Sequence, residues 1–167
     1  MFVVDHWIKP EQTPGIPPPG GLDIWLIELE LAAVPQTSQL SEDEVLRAER
    51  IVHAQDRRRF LTVRTAVREI LSGYLEEPAG SIRFRTGDKG KPQLDSPAPR
   101  LHFNLSHSHS LALLAVCSDQ TVGIDLERIQ SRPALRRIAR KLFDGPSLDR
   151  LEALPGETFT AAFFHQW

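Results

Sequence analysis

A chain of 167 residues with 41% hydrophobic and 25% charged side chains is long enough to bury a real core and has the balance of a soluble globular protein. Twenty basic residues against 22 acidic ones give a net charge of −2, which excludes any global electrostatic case for a nucleic-acid partner. A polyanion would have to be bound locally.

The opening "MFVVDHWIKPEQ" has no basic stretch ahead of a long apolar core, and no apolar run approaches the ~18 residues of a spanning helix. A cytoplasmic protein without a membrane partner is expected. Residues 10 to 21, "PEQTPGIPPPGG", are too rich in proline and glycine for a helix or a central strand and read as an extended leader. "LDIWLIELE" (22 to 30) is apolar and β-compatible, a first strand. "SEDEVLRAERIV" opens with a capping box, Ser41 and Glu44, and sets Val45, Ala48 and Val52 on one face of a helix.

"QDRRRFLTVRTAVREILSGYL" is a long amphipathic helix, with Phe60, Val63, Val67, Ile70, Leu71 and Tyr74 at helical spacing and Arg57, Arg64 and Arg68 on another side. "SIRFRT" reads as a short strand, "GDKGKP" as a turn, and "RLHFNLSHS", "LALLAVCS" and "VGIDLER" as three more strands in an antiparallel meander. Cys117, the only cysteine, lies in the second of these, so no internal disulfide is possible and a buried thiol is expected. Helical periodicity returns in "PALRRIARKLF", with Leu135, Ile138 and Leu142 toward a core, and in "GETFTAAFFHQW", where Phe159, Phe163 and Trp167 form a stripe expected to be exposed. The last pattern is still running at Trp167, as if cut inside a helix. The fold class that follows is α+β, an antiparallel sheet with packed helices.

Chemistry concentrates in two places. On a strand, Asp125 and Glu127 of "TVGIDLERI" share a face, roughly 6 to 7 Å apart, and two carboxylates so placed repel unless a cation lies between them. Magnesium, which takes one or two carboxylates plus waters and substrate phosphates, suits the pair. A solvated strand end whose acids meet Arg128 or another basic side chain is the open alternative. "HFNLSHSHS" gathers His102, Asn104, Ser106, His107, Ser108 and His109, in the wrong order for the common zinc signatures but able to form an anion site. Lys89 and Lys91 sit in a glycine turn that is not a P-loop; Lys91 could present a point charge to a phosphate or simply be solvated. The "DRRRF" arginines are a solvated face or a phosphate clamp.

Taken in order, "GKP", "FNLSHS" and "VGIDLE", with the upstream "AERIVHAQDRRRFLTVRTAVREIL", resemble the 4′-phosphopantetheinyl transferase superfamily, surfactin-synthetase-activating type, from about Leu22 to Trp167. The resemblance implies a pseudo-dimer of two α+β halves. Residues 1–21 would be the leader, 22–120 the first half and 121–167 the start of the second, the chain stopping before that family's W-x-x-K-E helix. It further implies that Asp125 and Glu127 hold magnesium and take part in catalysis, that Ser106, His107 and Lys91 contact coenzyme A, and that Arg47 and Arg59 are basic residues of the same site. Glu44 stands where the family often has a phosphate-contacting lysine.

The reaction implied is attack by a serine of an apo acyl or peptidyl carrier protein on the β-phosphate of coenzyme A, with release of 3′,5′-ADP. The full-length enzyme would be a monomer, and this span would be inactive alone. Arg136, Arg137, Arg140 and Lys141 could meet an acidic carrier or be a plain solvated face. Two other readings stand beside this one: a non-catalytic module that binds coenzyme A or a carrier protein, and a metal-dependent hydrolase using Asp125, Glu127 and the histidines.

Overall fold

The structure is a computed structural model that describes residues 15–30, 35–87, 90–95 and 101–166. The first part of the expected leader, Lys89 and Trp167 lie outside the described residues. The chain is a mixed α+β protein that divides into two compact units, Met1–Leu126 and Glu127–Trp167. Among the described residues no helix is long and apolar enough to cross a membrane.

In the first unit, β1 (Leu22–Glu28) is followed by a 3-10 turn (Thr37–Gln39) and two helices, α1 (Glu42–Glu49) and α2 (Ala54–Leu75). Then come a small hairpin, β2 (Phe84–Thr86) and β3 (Pro92–Leu94), and the long strands β4 (Leu101–Ser108) and β5 (Leu111–Ser118). The main sheet has the order β1-β5-β4 and is antiparallel throughout. α2 lays Val63, Val67, Ile70, Leu71 and Tyr74 onto one face of that sheet, against Ile27, Leu101, Phe103, Leu114 and Val116. It ends where Glu76 takes a left-handed conformation (φ 53°), a common way to stop a helix.

The third strand of the expected meander does not form. β5 already has β1 on one edge and β4 on the other, so residues 121–130 find no open ladder beside it and carry no strand. α1 has the full capping box but stops at Glu49; Val52 lies beyond it, 84% exposed, and the helix buries Glu44 with Ala48. Cys117 is buried, and its Sγ donates to the carbonyl of Gln120 at 2.9 Å; burial pushes the thiol pKa up.

Tyr74 joins helix to sheet by polar contacts as well as apolar ones. Its hydroxyl accepts from Trp25 Nε1 at 2.8 Å and donates to Asp23 Oδ2 at 2.7 Å; burial, then Asp23, drive its pKa upward. Tyr74→Phe removes the hydroxyl and leaves two polar groups without this partner. A loss of about 1–2 kcal/mol is expected from urea denaturation followed by tryptophan fluorescence.

The second unit is three helices, α3 (Leu135–Leu142), α4 (Gly145–Glu152) and α5 (Gly156–Gln166). The expected exposed stripe is instead this unit's core: Phe159 and Phe163 are buried with Leu135, Ala139 and Leu151. The helix that covers them, α4, was not read from the sequence. Leu142, expected inside, is exposed, and Ala139 occupies the inward position one turn after Leu135. Arg136 does not belong to a free basic face. Its guanidinium lies 4.3 Å from the Phe159 ring centroid and donates to the carbonyls of Glu152 and Leu154. Arg140 pairs with Glu152, while Arg137 and Lys141 are exposed.

Candidate functional site

The capping box that starts α1 also builds the wall of a cleft. Glu44, 6% exposed, accepts from the Ser41 N–H at 2.9 Å, which closes the box. The same carboxylate takes Arg64 Nε at 2.6 Å and Arg68 Nε at 2.9 Å from successive turns of α2. Burial alone would push the Glu44 pKa up; the Ser41 amide and the two guanidinium groups outweigh it, and the net shift is downward. Arg68 is 1% exposed and also donates to the carbonyls of Ala79 and Ile82, at 3.0 and 2.8 Å. It is therefore no part of a solvated face. Both guanidinium groups lie over the Phe84 ring, 5.2 and 5.0 Å from its centroid.

Around this pair α1, α2, the β2–β3 hairpin and β4 enclose an open cleft of about 570 Å³. Among the described residues its lining carries Arg47, Arg64, Arg68, Arg83 and Arg85 with His107, against the carboxylates of Asp43 and Glu44. Arg64 and Arg68 are paired with Glu44, while Arg47, Arg83 and Arg85 are exposed against the remaining carboxylate, Asp43, so in a chain of net charge −2 the cleft carries a local surplus of positive charge. Arg47 lies over Phe60, 5.5 Å from the ring centroid. Arg83 and Arg85 share a face of their extended segment, a signal visible in "RFR" that the sequence reading passed over.

A smaller recess of about 320 Å³ adjoins it, sharing Phe60, Val63 and His107. Arg59 and His109 line this recess, with Leu29 and Ile51. Arg59 is held by Glu30, at 2.8 Å from Nε and 2.6 Å from Nη2, and lies 3.3 Å from His109 Nδ1. The contact with Arg59 holds the Glu30 carboxyl below its ordinary value. Arg47 and His107 thus meet in the large cleft, and Arg59 and His107 in the small one. Lys91 is exposed between Gly90 and Pro92, both of which line the large cleft. Gly90 takes a left-handed conformation (φ 76°), which glycine adopts without strain, and its N–H donates to the Gly87 carbonyl at 3.1 Å.

Residues 121–126 are held without a backbone ladder. The Ile124 N–H donates to Asn104 Oδ1 at 3.0 Å and the Leu126 N–H to Ser106 Oγ at 3.0 Å. Ser106 Oγ in turn donates to Asp125 Oδ1 at 3.1 Å. The predicted alternation survives in this extended segment: Val122, Ile124 and Leu126 are half-buried, while Gly123, Asp125 and, just beyond, Glu127 are exposed. Among the described residues no group of three or more His, Cys, Asp or Glu side chains gathers as a metal centre, so a cation here would depend on fewer protein ligands.

Residues 30–119 match a family profile described as 4′-phosphopantetheinyl transferase, N-terminal. The chain is 35% identical over 164 residues to the 4′-phosphopantetheinyl transferase HetI of a Nostoc species, across 91% of this chain and 69% of that protein. It is 32% identical over 130 residues to the 4′-phosphopantetheinyl transferase Sfp of Bacillus subtilis, across 78% of this chain and 56% of that one. It is also 27% identical over 138 residues to the human L-aminoadipate-semialdehyde dehydrogenase-phosphopantetheinyl transferase, across 77% and 45% respectively. The chain therefore spans about half to two thirds of the length of these relatives.

Proposed function

Because the chain belongs to the 4′-phosphopantetheinyl transferase family, we propose that it is part of an enzyme moving the 4′-phosphopantetheine moiety of coenzyme A onto a serine of an apo acyl or peptidyl carrier protein. The co-product is 3′,5′-ADP and the enzyme is of the surfactin-synthetase-activating type. Residues 22–120 correspond to the first half of its pseudo-dimer and 121–167 to the start of the second. The observation that carries this reading is the arginine cleft, whose cations suit a co-substrate bearing a pyrophosphate and a further phosphate.

In this reading Arg47, His107 and Lys91 contact the phosphates, Arg59 lies in the small recess, and Ser106, matched by the resemblance to a coenzyme A contact, stands on the other face of β4 beside Asp125. Asp125 and Glu127 are the magnesium ligands. Their chemistry fits: both offer hard carboxylate oxygens, and magnesium commonly takes one or two carboxylates and completes its shell with water and phosphate. When bound, magnesium would neutralise the charge that develops on the departing 3′,5′-ADP as the pyrophosphate bond of coenzyme A breaks. A carboxylate of the complete site takes the proton from the attacking serine hydroxyl, help on the order of a hundredfold to ten-thousandfold.

The test is to incubate the present span, and the protein extended to the length of its relatives, with coenzyme A, magnesium and an apo carrier protein, and to weigh the carrier. Modification by the extended protein alone is expected. Coenzyme A binding without any modification by the extended protein would favour the non-catalytic binding module, and silence in both measurements would end the transferase reading. Arg47→Ala in the extended protein is expected to weaken coenzyme A binding about tenfold by calorimetry, the loss of one charge-assisted contact. The wild-type affinity should itself fall with added salt.

A further inference from the structure

The segment 121–126 is extended and runs beside a sheet, yet it is tied down by side chains. β4 alternates: Leu101, Phe103 and Leu105 point into the core shared with α2, so Asn104 and Ser106 point to the opposite face. These two side chains, two residues apart, accept from the amides of Ile124 and Leu126, also two residues apart and in the same chain direction. The match of repeats, roughly 6 to 7 Å on each side, lets a pair of side chains do the work of a ladder. Ser106 does more than Asn104, because the same hydroxyl both accepts from Leu126 and donates to the Asp125 carboxylate.

We infer that Asn104 and Ser106 are positioning residues, a side-chain clamp that fixes the segment 121–126 and, through Ser106, aims the Asp125 carboxylate. The role of the clamp toward a metal rests on the proposal above that Asp125 is a magnesium ligand. A serine hydroxyl has one proton to give. In this structure that proton goes to Asp125, so a direct contact from Ser106 Oγ to a phosphate oxygen, which also needs a donor, would have to break the Asp125 bond. Asn104 touches the segment only at the Ile124 amide among the contacts described, so the two residues make separable predictions.

The experiment uses the full-length protein with Ser106→Ala, Ser106→Thr and Asn104→Ala, read in two ways. Amide hydrogen exchange is expected to accelerate at least about tenfold at Leu126 in Ser106→Ala and at Ile124 in Asn104→Ala, with the β4–β5 ladder amides unchanged. Manganese(II) titrated with and without coenzyme A is expected to bind about 10- to 100-fold more weakly to Ser106→Ala, the range for loss of an outer partner of a metal ligand. Ser106→Thr keeps the hydroxyl and should restore both. Wild-type exchange at Leu126 and wild-type manganese affinity in Ser106→Ala, with weakened coenzyme A binding, would overturn the clamp in favour of a phosphate contact. Asp125→Ala separates the two claims: unchanged manganese affinity there removes Asp125 from the metal site, whereas loss there without loss in Ser106→Ala removes only the positioning role.

Discussion

Asp125→Asn in the full-length protein is expected to lower carrier modification by more than about a hundredfold while leaving its fold intact. The substitution is chosen because an asparagine side-chain oxygen can still accept the Ser106 hydroxyl bond that Asp125 Oδ1 accepts at 3.1 Å. Geometry is kept and the negative charge is removed. Loss of an outer-shell partner alone typically costs roughly 10- to 100-fold, so loss of a ligand charge should exceed it. Asp125→Ala should be at least as inactive and should also loosen the segment. Initial-rate assays that find Asn at the wild-type rate would remove the metal from the Asp125 side of the mechanism. A defect confined to KM for coenzyme A would instead make the carboxylate a binding group.

The largest effect on stability is expected at Glu44. Glu44→Gln should cost about 3 kcal/mol in denaturant unfolding, the lower end of the range for removing one partner of a buried ion pair. The lower end applies because Arg68 keeps the carbonyls of Ala79 and Ile82, while Arg64 lines the open cleft and can turn toward water. The pH dependence has a defined sign. A carboxyl whose pKa is lower in the folded chain contributes stability that is fully present above its ordinary value of 4.5 and is lost as the pH falls through the depressed folded value. Wild-type stability should therefore drop from about pH 5 downward, and in Glu44→Gln that part of the drop should vanish. An unchanged acid limb in the variant would show that other carboxylates govern it.

Glu44 also marks where local reading stopped. The S-x-x-E capping box is a short-range pattern and was visible in "SEDE", but its second role depends on arginines 20 and 24 residues away, which only packing of α1 on α2 brings close. α2 was legible from its long helical spacing, β4 from its alternation and β5 from its continuous apolar run. β1 was legible as a strand but not as the neighbour of β5, since nothing local selects a distant partner. That pairing in turn displaced "VGIDLER" from the ladder, although its apolar alternation was read correctly.

In the second unit, eight residues of α4 carry too short a period to stand out, and missing them made the Phe159 and Phe163 stripe look bare. At the site, Arg47, His107 and the acids could be singled out from motifs. Nothing local marked Arg64 and Arg68 as partners of Glu44, and Arg83, although exposed, reaches the cleft only through the fold. Asn104 was singled out with its polar neighbours but its role was not, because a side chain that replaces a strand's backbone partner leaves no period to count.

The burial of Cys117 turns the central strand into a built-in stopwatch. The thiol is 1% exposed, bonded to the Gln120 carbonyl, and the only one in the sequence. A thiol reagent added to the folded protein must wait for β5 to open, so the labelling rate times that opening once reagent is concentrated enough to outpace reclosing, with no introduced probe and no competing cysteine in this sequence to subtract.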